Sequence, residues 1–340
     1  MEETKLLVIS NRSCHTECAN QDVFGSGFNQ AGPCELRVAE ASFDEQSKQW
    51  HLSLMPEDRS QPEHVCQASN DQFKRIVQNL TSGDRDAEKW VLFVPGYCSP
   101  CLEGLEKSRQ LQKAHGVNVI LFSWPSDPRE AVINPVESYR RTQEAAAISS
   151  VALDRVLSSL QRVFVEPARR ASLAGRFKFS LMAHSLGNYV IQKLVQAKPI
   201  HQASSFTFDN VILHQPDVDF VGCQAWIKAL QVEGSRYVTT NQYDDVLRLT
   251  SDLVNPVRLG QITHHVAAGE DILHVDFTGA RHVESQHWFF GNTIENQIIQ
   301  MFCTRALHGD PAEVGLFADA AEPGRYQAFP FDPFAQDQGR

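Results

Sequence analysis

Nowhere in the 340 residues do five lysines or arginines run together, and no segment repeats. No apolar stretch approaches the roughly 20 residues needed to cross a bilayer. Positive charge is scarce overall: 31 Lys and Arg face 41 Asp and Glu, a formal charge of −10. A chain so poor in clustered cations is not expected to grip nucleic acid or an anionic membrane surface. The 13 His residues soften that balance only at low pH. A cationic leader is also missing, since the chain opens Met-Glu-Glu-Thr-Lys, and a cytoplasmic location is the expectation. In that compartment the eight Cys read as free thiols rather than a disulfide framework. With ordinary proportions of apolar and charged residues, the chain can bury a large core without disulfide or metal, and its length suits one large α/β domain with insertions.

What is present changes character along the chain. Residues 1–84 read as strand-rich. Leu6–Ser10 is a short apolar run, Cys34–Phe43 and Trp50–Met55 alternate around a polar turn as a hairpin would, and Asp71–Leu80 has helical spacing. Residues 85–307 alternate compact apolar runs with amphipathic stretches. The runs are Trp90–Val94, Val117–Trp124, Phe177–Met182, Phe208–Leu213, Tyr237–Thr240 and Ile272–Phe277. Between them Leu102–His115, Glu137–Phe164 and Leu186–Gln196 read as helices. Ile148, Val151, Leu153, Val156, Leu157, Leu160 and Val163 form one broad apolar face on the second. This alternation predicts an α/β fold: a mostly parallel central sheet with helices on both faces, carrying the N-terminal antiparallel hairpin. Such sheets bind ligands at the carboxyl ends of their strands. Residues 308–340, with several Pro, Gly and Asp, read as a loosely ordered tail that Phe329, Phe331 and Phe334 could dock onto the body.

Between a buried-strand pattern and a helix pattern lies Ala183-His184-Ser185-Leu186-Gly187. In that context a small-x-Ser-x-Gly segment predicts a sharp turn that exposes the Ser185 hydroxyl as a nucleophile. Strand and helix nearly touch at such a turn, so small residues are needed on both sides; Gly187 fits, and Ala183 stands in for the commoner Gly. The bland alternative is a serine capping an ordinary helix. His184 points away from the hydroxyl in such a turn and is assigned a packing or supporting role. The Leu186 N–H beside the helix start is one expected oxyanion donor. The Tyr97 N–H after Pro95-Gly96 is the other, with Cys98 next.

A serine hydroxyl needs a base, and the base needs a carboxylate to orient it. In this strand–turn–helix arrangement the order along the chain is serine, acid, histidine. Asp244, just beyond Tyr237–Thr240, is the leading acid; Asp217, Asp219 and Asp245 are alternatives, each otherwise a turn or capping residue. His287, anchored by Trp288-Phe289-Phe290, is the leading base, with His282 the alternative. His274 lies inside a predicted strand, and His264 and His265 precede it. Trp124 and Tyr139 are candidate pocket-lining residues. No cofactor or metal is expected, and the partner is a small-molecule ester. Cys98 and Cys101 read as inert thiols. A redox pair, or zinc shared with Cys14, His15 and Cys18, are the alternatives.

The stretches Phe93–Tyr97, Leu121–Ser126, Ala183–Asn188, Gln215–Asp219, Asp244–Leu249 and His287–Phe290 together resemble bacterial α/β-hydrolases of unknown function in the esterase/lipase superfamily. The likeness spans roughly residues 85–300, and the opening Leu7–Arg12 segment is similar too. Phe122-Ser123-Trp124-Pro125-Ser126 is its distinctive element. The resemblance implies carboxylester hydrolysis, with Asp244 as acid and His287 as base. Pro95 departs from the family's usual His, and Cys98-Ser99-Pro100-Cys101 is a second departure in the same loop. Acyl transfer or thioester hydrolysis with the same residues, and a non-catalytic binding protein on the same fold, are the rival functions. A thiol–disulfide oxidoreductase would need a different placement of its cysteines.

Overall fold

The computed structural model describes residues 4–56, 88–97, 100–126, 134–164, 177–201, 206–254, 256–262, 272–291, 295–320 and 322–328. Thirteen strands are assigned among them: β1 (Thr4–Ser10), β2 (Arg12–Cys14), β3 (Phe24–Phe28), β4 (Arg37–Asp44), β5 (Gln49–Leu54), β6 (Glu88–Val94), β7 (Asn118–Ser123), β8 (Phe177–His184), β9 (Val211–His214), β10 (Arg236–Thr240), β11 (Ile272–Asp276), β12 (Phe317–Ala318) and β13 (Arg325–Gln327). The helices are α1 (Cys101–His115), α2 (Pro135–Phe164), α3 (Gly187–His201), α4 (Cys223–Lys228), α5 (Asp245–Val254) and α6 (Gln297–Leu307).

Eleven strands form one sheet in the order β12-β13-β11-β10-β9-β8-β6-β7-β1-β4-β5. From β13 through β1 every neighbouring pair is parallel; β4, β5 and β12 add antiparallel margins. The strand-rich opening therefore continues the same sheet, while β2 and β3 pair apart as a small antiparallel hairpin. Period-two alternation decides which face each side chain serves. Leu92, Val94, Ile120 and Phe122 pack on one face against Leu153, Val156 and Val190 of α2 and α3. Val91, Phe93, Val119 and Leu121 pack on the other against Leu105, Leu111 and Phe302 of α1 and α6. Both faces are covered, as continuous apolar strands require.

The chain leaves β6 for β7 on one side, then returns to lay β8 on β6's other side. The carboxyl ends of β6 and β8 thus flank the point where the winding reverses, the place where open α/β sheets receive ligands.

Two expectations are altered. The chain beyond His308 is not simply a loose extension: Tyr326 pairs with Val275 and brings β13 into the sheet, and β12 pairs with β13. Phe329, Phe331 and Phe334 lie outside the described residues, as does Asp71–Leu80. The apolar face of α2 is narrower than its sequence implies, because Ile148 and Val151 are exposed. Small Ala146, Ser149 and Ala152 share the buried side with Leu153 and Val156, letting the helix sit close to its neighbours. Among the described residues no helix is long and apolar enough to cross a membrane.

Candidate active site

β8 ends in a turn at Ser185, whose φ of +54° lies in the left-handed region that L-residues seldom adopt. The turn is held by its own backbone and by one amide. Ser185 N–H donates to His214 O (3.0 Å), and Asp217 N–H donates to Ser185 O (3.1 Å). Buried Asn188 reaches back from the first turn of α3, and its Nδ2 donates to Ser185 O at 2.9 Å and Ala183 O at 3.2 Å. Gly187 is where sheet and helix nearly meet: a Cβ there would lie 2.3 Å from Val94 O and 2.6 Å from Pro95 O. Gly96 meets the turn from the opposite strand, and a Cβ on it would lie 2.5 Å from Ser185 Cβ and 3.0 Å from Oγ. Only glycine at both positions lets the loop after β6 rest on the serine.

That loop is pinned from behind. Trp124 Nε1–H donates to Pro95 O (2.8 Å), so the distinctive Phe-Ser-Trp-Pro-Ser segment braces the loop facing Ser185. Trp124 is fully buried and Tyr139 nearly so. They support the site rather than line a pocket: Tyr139 packs edge-on against Tyr97, with centroids 5.9 Å apart. Tyr97 Oη and Ser138 Oγ share a hydrogen bond of 2.9 Å. Cys98 lies outside the described residues, whereas Cys101 is a buried free thiol whose pKa burial raises. Among the described residues no three His, Cys, Asp or Glu side chains form a metal-holding group.

The structure brings Asp244 and His287 together. His287 Nδ1–H donates to Asp244 Oδ2 at 2.6 Å. Asp244 is fully buried and caps α5, with its Oδ1 accepting the N–H groups of Val246 and Leu247, both at 3.0 Å. A carboxylate anchored at a helix N-terminus is fixed in direction. His287 Nε2 is buried and makes no hydrogen bond among the described residues, leaving that nitrogen available to a reacting group. The side chains of the other aspartates have other partners. Asp245 faces outward and accepts from Arg248 (2.8 Å). Asp217 and Asp219 engage Arg258, at 3.4 Å and 2.7 Å respectively. Burial lifts the Asp217 carboxyl to about 6, against the opposing pull of Arg258. His282 faces Glu295 at 3.5 Å, and His274 lies buried within β11. His264 and His265 lie outside the described residues.

Behind His287 stands a buried aromatic cluster. His184 Nε2–H donates to His287 O (2.9 Å), and its ring lies 4.6 Å from that of His287. His214 packs between His184 (5.3 Å) and Phe289 (4.4 Å) and shares a hydrogen bond with Thr239 Oγ1 (2.8 Å). Burial lowers the pKa of both histidines well below the ordinary value, so both are neutral. His184 therefore fixes the backbone that carries His287. Sequence reasoning missed Asn188, Arg258 and Gln215. Gln215 and Arg258 act across long stretches of chain, whereas Asn188 bonds within its own turn and, directly after Leu186-Gly187, carries a local signal.

A left-handed serine at a strand-to-helix turn, on the reversal point of a parallel sheet, defines an α/β-hydrolase fold. Over residues 68–282 the chain matches the α/β-hydrolase family of unknown function DUF900, and it belongs to that family. No protein of curated function matches. Solved structures are similar at low identity. They include Aspergillus fumigatus lipase B (13% identical, TM-score 0.35, covering 66% of this chain and 53% of the lipase) and Trichoderma reesei cutinase bound to a phosphonate inhibitor (12%, TM-score 0.25, covering 74% and 91%). An arylesterase is also similar (10%, TM-score 0.32, covering 76% and 100%). The chain thus spans about half the length of the lipase it matches.

Proposed function

We propose that this hydrolase cleaves carboxylic esters by two-step acyl transfer, with Ser185 as nucleophile, His287 as base and Asp244 as the group that orients the base. The observation that carries the reading is the 2.6 Å bond from His287 Nδ1 to a carboxylate locked on the first turn of α5, at the same end of the sheet as Ser185. Bonding at Nδ1 fixes the tautomer that leaves Nε2 as acceptor for the serine proton. Ser185 Oγ attacks the ester carbonyl and its proton passes to His287 Nε2. The backbone N–H groups of Leu186 and Tyr97 receive the oxyanion. The carbon–oxygen bond then breaks, the alcohol departs with the proton from His287, and water releases the acid by the same route. Gly96 supports this assignment because it lets the Tyr97 loop lie within reach of the serine.

The test is turnover of a series of p-nitrophenyl esters. Ser185→Ala is expected to reduce kcat to background, and Asp244→Asn to lower it by about 10⁴-fold through loss of the productive tautomer. Equal rates in wild type and Ser185→Ala would refute the reading. Adding an alcohol or thiol acceptor to the assay separates hydrolysis from acyl transfer by the product formed.

A further inference from the structure

Gln215 follows β9 directly and is fully buried. Its φ of +42° makes it one of five non-glycine residues with positive φ among the described ones. A glycine would adopt that backbone without strain, so the retained long side chain calls for a reason. Its amide supplies one. With the nitrogen turned toward acceptors, Nε2 donates to Asp244 Oδ2 at 3.0 Å and to Gly260 O at 3.3 Å. Both amide hydrogens are then used, and the side chain has one orientation. The main chain is fixed as well: Gln215 N–H donates to Thr239 Oγ1 (3.3 Å), and a Cβ on Gly260 would lie only 2.7 Å from Gln215 C.

We infer that Gln215 is a positioning residue, whose amide holds the same Asp244 oxygen that orients His287. The inference rests on the reading of Asp244 and His287 given above. With Gln215 in place, each carboxylate oxygen accepts two hydrogen bonds: Oδ1 from Val246 and Leu247 N–H, Oδ2 from His287 and Gln215. Rotation of the carboxylate would break all four, so the imidazole is aimed by a group that cannot turn. The charged and titratable groups around this pair are Asp217 with its partner Arg258, His184 from β8, His214 from β9, and Lys107 of α1, which sits over the Trp288 ring. Changing Gln215 leaves all of them in place.

Two variants separate side chain from backbone. Gln215→Asn keeps a residue tolerant of the left-handed region but is too short to reach the carboxylate. Gln215→Glu keeps the reach and replaces a donor with an acid. The experiment combines NMR of the His287 Nδ1–H proton with p-nitrophenyl butyrate kinetics on the full chain. In Gln215→Glu the new carboxyl, buried about 3.0 Å from Asp244 Oδ2, keeps its proton and donates in place of the amide, so the Nδ1–H resonance and kcat are expected to stay near those of wild type. In Gln215→Asn the resonance is expected to move and to exchange faster with solvent. There kcat is expected to fall about tenfold with KM unchanged. An unmoved Nδ1–H resonance in Gln215→Asn overturns the inference, and so does a fall in kcat without that displacement, which would mark a purely structural residue. If the resonance moves in Gln215→Asn but wild type cleaves no ester, the coupling stands and the esterase reading fails.

Discussion

The proposed residues Ser185, Asp244 and His287 each carry local context in the sequence: a strand-to-helix turn, the end of a strand, an aromatic anchor. Asp244 and Asp245 are adjacent and nearly indistinguishable in sequence. Packing separates them, since the first caps α5 from inside and the second starts the helix on its exposed side. Gln215 falls in a stretch that carries the family resemblance, but its purpose appears only when a carboxylate 29 positions later (244 − 215) folds against it. The small-residue rule at the turn can be tested on one atom. Gly187→Ala would place a methyl 2.3 Å from Val94 O, a backbone atom that cannot step aside. We expect it to cost about 1–3 kcal/mol in thermal or denaturant unfolding and to abolish ester turnover. Gly27→Ala, at a position with nothing within 4 Å, is expected to leave both intact. Equal stability of the two variants would show that the turn is not close-packed.

Among the elements, the parallel core read clearly, since β6 to β9 are apolar runs closed by Pro, Gly or a polar residue. Helix α2 was legible in position, but its exposed Ile148 and Val151 show that periodicity overestimates how wide a face is buried. Strands β12 and β13 were not legible. They are two and three residues long, with half-exposed or exposed side chains, and they exist because β11 offers an unpaired edge rather than through their own propensity. The contribution of Trp124 to the site follows from strand order: β7 lies beside β6, so a residue just past one strand's end reaches the loop of the other.

Taken whole, the molecule buries several neutral histidines. His184 and His214 have pKa values far below the ordinary one, His274 is lowered to about 4, and His115 is lowered as well, in each case chiefly by burial. An unfolded histidine binds a proton near 6.5, so the unfolded state gains protons first as pH falls, and stability is lost from about pH 6.5 downward. For His274 alone that loss is on the order of 3 kcal/mol by pH 4. Asp217, raised to about 6, acts oppositely. Its penalty at neutral pH is relieved as pH falls through 6 toward 3.8, and Asp276 shifts in the same direction. The histidines outnumber these carboxyls, so the melting temperature is expected to drop by several degrees between pH 7 and pH 5. A constant or rising melting temperature over that interval would contradict the burial of neutral imidazoles.

The esterase chemistry proposed for this chain depends on a reactive Ser185. Intact-mass spectrometry after exposure to a fluorophosphonate reads that reactivity without knowledge of the substrate. Wild type is predicted to gain one adduct, mapped to Ser185, and Ser185→Ala none. An unmodified wild type, or equal labelling of both proteins, would contradict the account.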